Sequence, residues 1–170
     1  MKITILGHCG SGKTSLAKHI HANYNLPHLE LDRVWFLNGG NDVKNLEEKN
    51  KIREKMHLEV EEFIRQNDSW VIDGIYKQIQ PFIIKQATHV VYLKVPFYKR
   101  IYYHVYRIIF FERHPEISLW QDICFTFKMC DHTIRTNKKL RPLLKQADKK
   151  LFVITEDTMK EWLESTFKNY

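Results

Sequence analysis

A glycine-rich stretch near the start of the chain has the residue types needed to bind phosphate. Residues 7–14 read GHCGSGKT and match G-x-x-x-x-G-K-[ST] at every position. Glycines let backbone N–H groups turn inward as a nest for an anion, and the N-terminus of a following helix favours negative charge. The lysine can reach the outer phosphates of a nucleotide, and the final threonine can bind Mg²⁺. The residues predicted to bind the cofactor are Gly7, Gly10, Ser11, Gly12, Lys13, Thr14 and Ser15.

Two carboxylates follow short apolar runs that read as strands. Asp32 follows residues 28–31, and Asp73 follows residues 70–72. Ligands of parallel sheets bind beyond the carboxyl ends of the strands, so both side chains are predicted to face the reacting groups. Asp32 is predicted to accept the proton of an acceptor hydroxyl, and Asp73 to bind Mg²⁺ together with Thr14. Alternatively, Asp32 caps a helical turn and Asp73 belongs to a plain Asp-Gly turn, and the two catalytic roles are also open to exchange.

The excess positive charge of the chain lies in one stretch. Residues 97–150 contain 12 Lys and Arg against 5 Asp and Glu, which gives the whole formal excess of +7. Such an excess indicates an anionic partner: a nucleotide, a nucleic acid or an acidic protein. We predict a lid over about 97–142 whose arginines close on the phosphates, although each could also be an ordinary surface arginine. Lys13 and these arginines complete the predicted catalytic set: Arg107, Arg135 and Arg141.

Other chemistries have weaker support in the sequence. Cys9 has no evident His and Asp partners for a nucleophile. Cys124, Cys130 and His132 lack a C-x-x-C pair and a fourth ligand for zinc. The guanine-reading pattern N-K-x-D of GTPases is absent, because residues 137–140 read NKKL.

Elements that could position these residues alternate along the chain. The predicted strands cover 2–6, 28–31, 70–72, 89–95 and 151–154, and the predicted helices 15–22, 46–67, 81–86, 97–111 and 159–167. A less regular segment is expected between the helix at 97–111 and about residue 142. This alternation predicts a single α/β domain over 1–170, with three layers and a mostly parallel sheet. No stretch is apolar enough for a signal peptide or a membrane span, so we expect a cytoplasmic protein.

Four blocks of the sequence resemble a known family. Three of them are specific, and the fourth, HVVYLKVP, resembles it less specifically. The three blocks are KITILGHCGSGKTSLAKHI, HLELDRVWF and WVIDGIY. They are similar to the P-loop kinases of the adenylate kinase type, and more closely to bacterial DNA topology modulation proteins. The resemblance extends over essentially the whole chain, and it implies a P-loop NTPase fold with a five-stranded parallel sheet in the order 2-3-1-4-5 and a mobile helical lid.

The chain departs from that family pattern at two places. Ile75 stands where the family has Asn. Adenylate-type kinases often have arginines seven and eleven residues after the proline that ends the fourth strand. Counted from Pro96, those positions hold Tyr103 and Arg107, so only the second arginine is present. Tyr103 could stack on a base, but it cannot bind phosphate bidentately.

Together, these features predict a Mg²⁺-dependent, ATP-using kinase of a small molecule. The acceptor would be a nucleotide, a nucleoside or another small hydroxyl or phosphate compound. The alternative is an NTP-binding regulatory module whose basic arm contacts nucleic acid or a protein partner. We expect a monomer or a homodimer, because surplus aromatic residues of the helix predicted at 97–111 could bury a contact between two copies.

Overall fold

Five parallel strands form the central sheet of the computed structural model, which describes residues 1–40, 43, 45–110 and 119–168. Their order is β2-β3-β1-β4-β5, and every neighbouring pair is parallel. The predicted strand number, direction and order are therefore confirmed. The strands are β1 Lys2–Gly7, β2 His28–Glu30, β3 Trp70–Asp73, β4 His89–Leu93 and β5 Leu151–Ile154.

Helices cover both faces of this sheet. Those on one face are α2, α3, α4 and the C-terminal part of α6, and those on the other are α1 and α7. Strands covered on both faces read as largely apolar runs, as residues 3–6 (ITIL) and 70–72 (WVI) do. None of the helices in the described ranges is both long and apolar enough to cross a membrane. The helices are α1 Lys13–Tyr24, α2 Leu31–Leu37, α3 Leu46–Gln66, α4 Gln80–Gln86, α5 Phe97–Phe110, α6 Leu119–Ala147 and α7 Glu156–Phe167.

The prediction of an irregular segment is wrong from residue 119 to residue 142, and its earlier part, residues 112–118, lies outside the described residues. Residues 119–147 form one helix, α6, with Pro142 inside it. Proline in a helix costs about 3 kcal/mol. Leu140 and Leu143 are buried against the core beside α4, and burial of a leucine side chain contributes about 1.5–3 kcal/mol. This packing offsets the cost of the proline, and the helix continues through it.

Candidate functional site

The phosphate loop joins β1 to α1, and α5 packs directly behind it. Gly10 and Gly12 have φ of 74° and 82°, a left-handed conformation that favours glycine. A Cβ atom on Gly10 would lie 2.9 Å from the carbonyl oxygen of Arg100. The loop is closed by the Ser11 N–H, which donates to the His8 carbonyl at 3.2 Å. Gly10 and Gly12 are therefore required by backbone conformation, and Gly10 is also required by space.

Two side chains in the loop are suited to an incoming anion. Lys13 Nζ donates to the His8 carbonyl oxygen at 2.9 Å. Ser11 Oγ is buried and has no hydrogen-bond partner among the described residues. Buried polar atoms are nearly always hydrogen-bonded in proteins, so a phosphate oxygen would satisfy this hydroxyl. The loop therefore fits the phosphates of a nucleotide.

Thr14 and Asp73, predicted together as metal ligands, are in direct contact. Thr14 Oγ1 donates to Asp73 Oδ2 at 2.6 Å, and the Asp73 side chain is 2% exposed. His28 Nε2 donates to the other carboxylate oxygen, Oδ1, at 2.7 Å. A hydroxyl and a carboxylate are ligands that Mg²⁺ accepts, and Mg²⁺ usually takes its other ligands from water and phosphate. Among the described residues, no group of three or more His, Cys, Asp or Glu side chains is placed to hold a metal ion.

Asp32 lies apart from this pair, in the first turn of α2. It is exposed and accepts a hydrogen bond from the Tyr76 hydroxyl at 3.0 Å. Burial, and then the charge of Asp32, raise the pKa of Tyr76, so this hydroxyl keeps its proton and remains a donor. The ring of Tyr76 lies 5.8 Å from that of Trp35. α2 begins at Leu31 after Glu30 and has no side-chain cap hydrogen bond, so the alternative that Asp32 caps this turn is wrong. Asp32 lies within the first turn, and its carboxylate contacts Tyr76 at the carboxyl edge of the sheet.

Glu30 is a third carboxylate at this edge that the sequence did not single out. It is the last residue of β2 and pairs in register with Asp73 of β3. Burial and the charge of Asp73 raise the pKa of Glu30, and the charge of Lys18 opposes them. The predicted strand ran to residue 31, which placed Glu30 inside the strand and concealed its position. Its spacing of two residues from Asp32 is the signal that could have revealed it.

Polar contacts connect the loop to the two helices of the basic stretch. His8 Nε2 donates to Asn137 Oδ1 of α6 at 2.8 Å, and buried Arg100 of α5 donates to Thr133 Oγ1 of α6 at 3.1 Å. Burial lowers the pKa of His8, as do the positive charges of Arg100 and Lys13, although the Asn137 bond opposes this. The sequence pattern does not single out Arg100, because it lies four residues after Pro96 and the family's arginines stand seven and eleven residues after that proline.

The three predicted lid arginines have different surroundings. Arg135 is exposed and forms an ion pair with Asp131 at 2.6 Å, one helical turn earlier in α6. Arg141 is also exposed and lines a surface groove beside Pro142. Arg107 belongs to α5, but its side chain lies outside the described residues, as do those of Cys124 and Cys130. Neither Arg135 nor Arg141 contacts the phosphate loop, so the closing role of these arginines stays a prediction.

Tyr103, which stands where the family has an arginine, contacts a residue of a neighbouring helix in this structure. Its hydroxyl donates to Glu156 Oε1 at 2.6 Å, and Lys99 forms an ion pair with the same carboxylate. These bonds join the first half of α5 to the start of α7. In this arrangement Tyr103 contacts another helix, and its proposed stacking on a base is untested.

Comparison with solved structures identifies the fold. The shikimate kinase of Bacteroides thetaiotaomicron matches with a TM-score of 0.63 and 18% identity, over 99% of this chain and 98% of that one. This chain has a P-loop NTPase fold. The expected fold is therefore confirmed, including the helices on both sides of the sheet. At this identity the likeness carries the fold alone. No family model matches the chain, and no curated protein sequence matches it.

Proposed function

We propose that this protein is an ATP-dependent, Mg²⁺-using kinase of a small molecule. One observation carries the proposal: the complete phosphate loop supplies a threonine, Thr14, that is hydrogen-bonded at 2.6 Å to a buried carboxylate, Asp73, on the adjacent strand. A nest for phosphate and a pair of Mg²⁺ ligands then lie side by side. The structural likeness to an enzyme named shikimate kinase supports a small acceptor, because the two chains match over nearly their whole lengths.

The residues divide into a phosphate side and an acceptor side. The loop N–H groups, the Ser11 hydroxyl and Lys13 would bind the phosphates, and Thr14 with Asp73 would hold Mg²⁺. Mg²⁺ at this position would neutralise charge on the phosphate oxygens while the phosphoryl group is transferred. Asp32 would accept the proton of the acceptor hydroxyl, and the Tyr76 bond would hold its carboxylate in one orientation.

The acceptor side has both polar and aromatic groups. The Asp32 carboxylate can accept hydrogen bonds from hydroxyls, while the rings of Trp35 and Tyr76 offer flat apolar surfaces beside it. We propose an acceptor that carries a hydroxyl or phosphate on a small ring or short chain, such as a nucleotide or a nucleoside.

Several finer features of the proposal rest on the sequence alone. These are a kinship with the DNA topology modulation proteins, a cytoplasmic location, a single domain over 1–170 with a lid over about 97–142, and a monomeric or homodimeric state. We keep them as proposals with the kinase function.

A regulatory module that binds NTP and nucleic acid is the second candidate. Four basic side chains of α6 support it, since all are exposed: Arg135, Lys138, Lys139 and Arg141. A binding module, however, needs no carboxylate at the acceptor side. Asp32 with its Tyr76 donor therefore favours the kinase.

Phosphoryl transfer to defined acceptors tests the proposed function. Candidate nucleosides, nucleotides and sugars are incubated with ATP labelled in its γ-phosphate, and labelled product is separated from released phosphate. The Asp32→Asn variant should transfer about 10²–10⁴-fold more slowly while its affinity for ATP stays unchanged. Wild-type transfer by Asp32→Asn would show that Asp32 only belongs to the first turn of a helix and would move the role of base to Asp73. Salt-sensitive binding of duplex DNA without ATP, together with no transfer, would favour the binding module instead.

A further inference from the structure

His28, the first residue of β2 and of the block HLELDRVWF, contacts the proposed metal site, although the sequence analysis assigns it no role. Its Nε2 donates to Asp73 Oδ1 at 2.7 Å, while Thr14 donates to Oδ2 of the same carboxylate at 2.6 Å. The two side chains are 11% and 2% exposed. One buried carboxylate is therefore held from both sides, by a helix residue and by a residue of the neighbouring strand.

Asp73 is a buried carboxylate that has a second acidic residue beside it. It is almost fully buried, and Glu30 pairs with it in register across the two strands. A buried charge without hydrogen-bond partners is costly, so a carboxylate at this position needs donors. Thr14 and His28 are the donors that contact it, one on each carboxylate oxygen. A Thr14 hydroxyl that binds Mg²⁺ through a lone pair can still donate its hydrogen to Oδ2, and His28 is the contact that holds the other oxygen, Oδ1.

We propose that His28 is a positioning residue that sets the affinity of the Mg²⁺ site by holding the Asp73 carboxylate in place. The inference rests on the proposed function, because it requires Thr14 and Asp73 to hold Mg²⁺. Hydrogen-bond partners of metal-ligating carboxylates fix the orientation of the ligand, and their loss typically costs about 10–100-fold in metal affinity. His28 acts through Asp73 and need not touch the substrate.

Position in the strand also supports a role beyond strand pairing. The backbone of β2 already pairs with β3 over His28 to Glu30. The imidazole adds a side-chain bond to the last residue of β3, which lies at the carboxyl edge of the sheet, whereas His28 itself begins its strand. The imidazole of His28 therefore bonds to Asp73, whereas its backbone pairs with Val71. A substitution of the side chain can leave the strand pairing intact.

Calorimetric titration of the full chain with ADP, in excess Mg²⁺ and in EDTA, tests the inference. His28→Phe keeps a ring but removes the donor, and it should weaken ADP binding in Mg²⁺ by about 10–100-fold while binding in EDTA is unchanged. His28→Gln keeps an N–H donor and should retain most of the Mg²⁺-dependent affinity. The matched control is His89→Phe: His89 also begins a strand and is partly buried, but it contacts Thr88 and Phe152. This control should bind ADP as the wild type does in both conditions.

A double-mutant cycle separates positioning from general destabilisation. In an Asp73→Asn background, His28→Phe should cause no further loss of Mg²⁺-dependent affinity, because both changes act on one interaction. Equal losses of affinity with and without Mg²⁺, or an unchanged Mg²⁺-dependent affinity in His28→Phe, would overturn the inference and leave the proposed function standing. A wild type that binds ADP in neither condition would instead overturn the proposed function.

Discussion

Substitution of Gly10 by alanine tests whether the first turn of α5 fixes the shape of the phosphate loop. At a φ of 74° an alanine costs about 1–2 kcal/mol in backbone strain. Its Cβ would also lie 2.9 Å from the Arg100 carbonyl oxygen, a backbone atom that cannot swing away as a side chain can. Overpacking of this kind costs a further 1–3 kcal/mol or so. We expect Gly10→Ala to lower the free energy of unfolding by about 2–5 kcal/mol in total.

Gly39→Ala is the matched control. Gly39 has a φ of 80°, but an added Cβ would meet no atom within 4 Å, so only the strain of about 1–2 kcal/mol applies. Urea unfolding gives the stability of each variant, and calorimetry gives its affinity for ADP. Gly10→Ala should also bind ADP at least about tenfold more weakly, a change of about 1.4 kcal/mol, whereas Gly39→Ala should bind it normally. Equal losses of stability in the two variants, or normal ADP binding by Gly10→Ala, would refute the proposed contact.

Three further predictions concern charge in and around the site. Lys13→Ala should weaken ATP binding, measured by calorimetry, by on the order of 1–3 kcal/mol, the scale of a charge-assisted hydrogen bond; unchanged affinity would contradict the role of Lys13. Arg135→Ala should slow turnover if α6 closes over the phosphates; if it leaves turnover unchanged and instead lowers the salt slope of DNA binding by about one, α6 is a nucleic-acid surface. Burial lowers the pKa of His8, His89 and His132 in the folded protein. The unfolded chain therefore binds protons at a higher pH than the folded protein does. The free energy of unfolding, measured by urea titrations, should fall as the pH drops below about 6.5. A rise in stability over that range would contradict the lowered pKa values.

Much of the fold is predictable because its signals are local in sequence. A strand covered on both faces is largely apolar, and this shows directly in residues 3–6 of β1, where Thr4 is the one polar residue, and in residues 70–72 of β3. The helix α6 continues through Pro142, although proline disfavours a helix interior, because the burial of Leu140 and Leu143 outweighs its cost. The deciding contacts connect α6 to α4, and the spacing of residues within α6 does not reveal them.

The site, too, combines features that are local in sequence with contacts between distant parts of the chain. The phosphate loop is contiguous, so its residues could be identified together, and Asp73 could be placed because a strand ends there. The partners of these residues depend on register between strands and on contacts between distant helices. His28 meets Asp73 only because β2 lies beside β3, and Arg100 contacts the loop only because α5 packs behind Gly10.

Phosphorus NMR of the wild-type protein with ATP, Mg²⁺ and a mixture of small metabolites tests the kinase proposal most directly. The γ-phosphate signal of ATP should fall as a new phosphorylated small molecule grows in equal amount, and the Lys13→Ala variant should show little of either change. The proposal is contradicted if the γ-phosphate signal persists unchanged, or if it is replaced by inorganic phosphate alone.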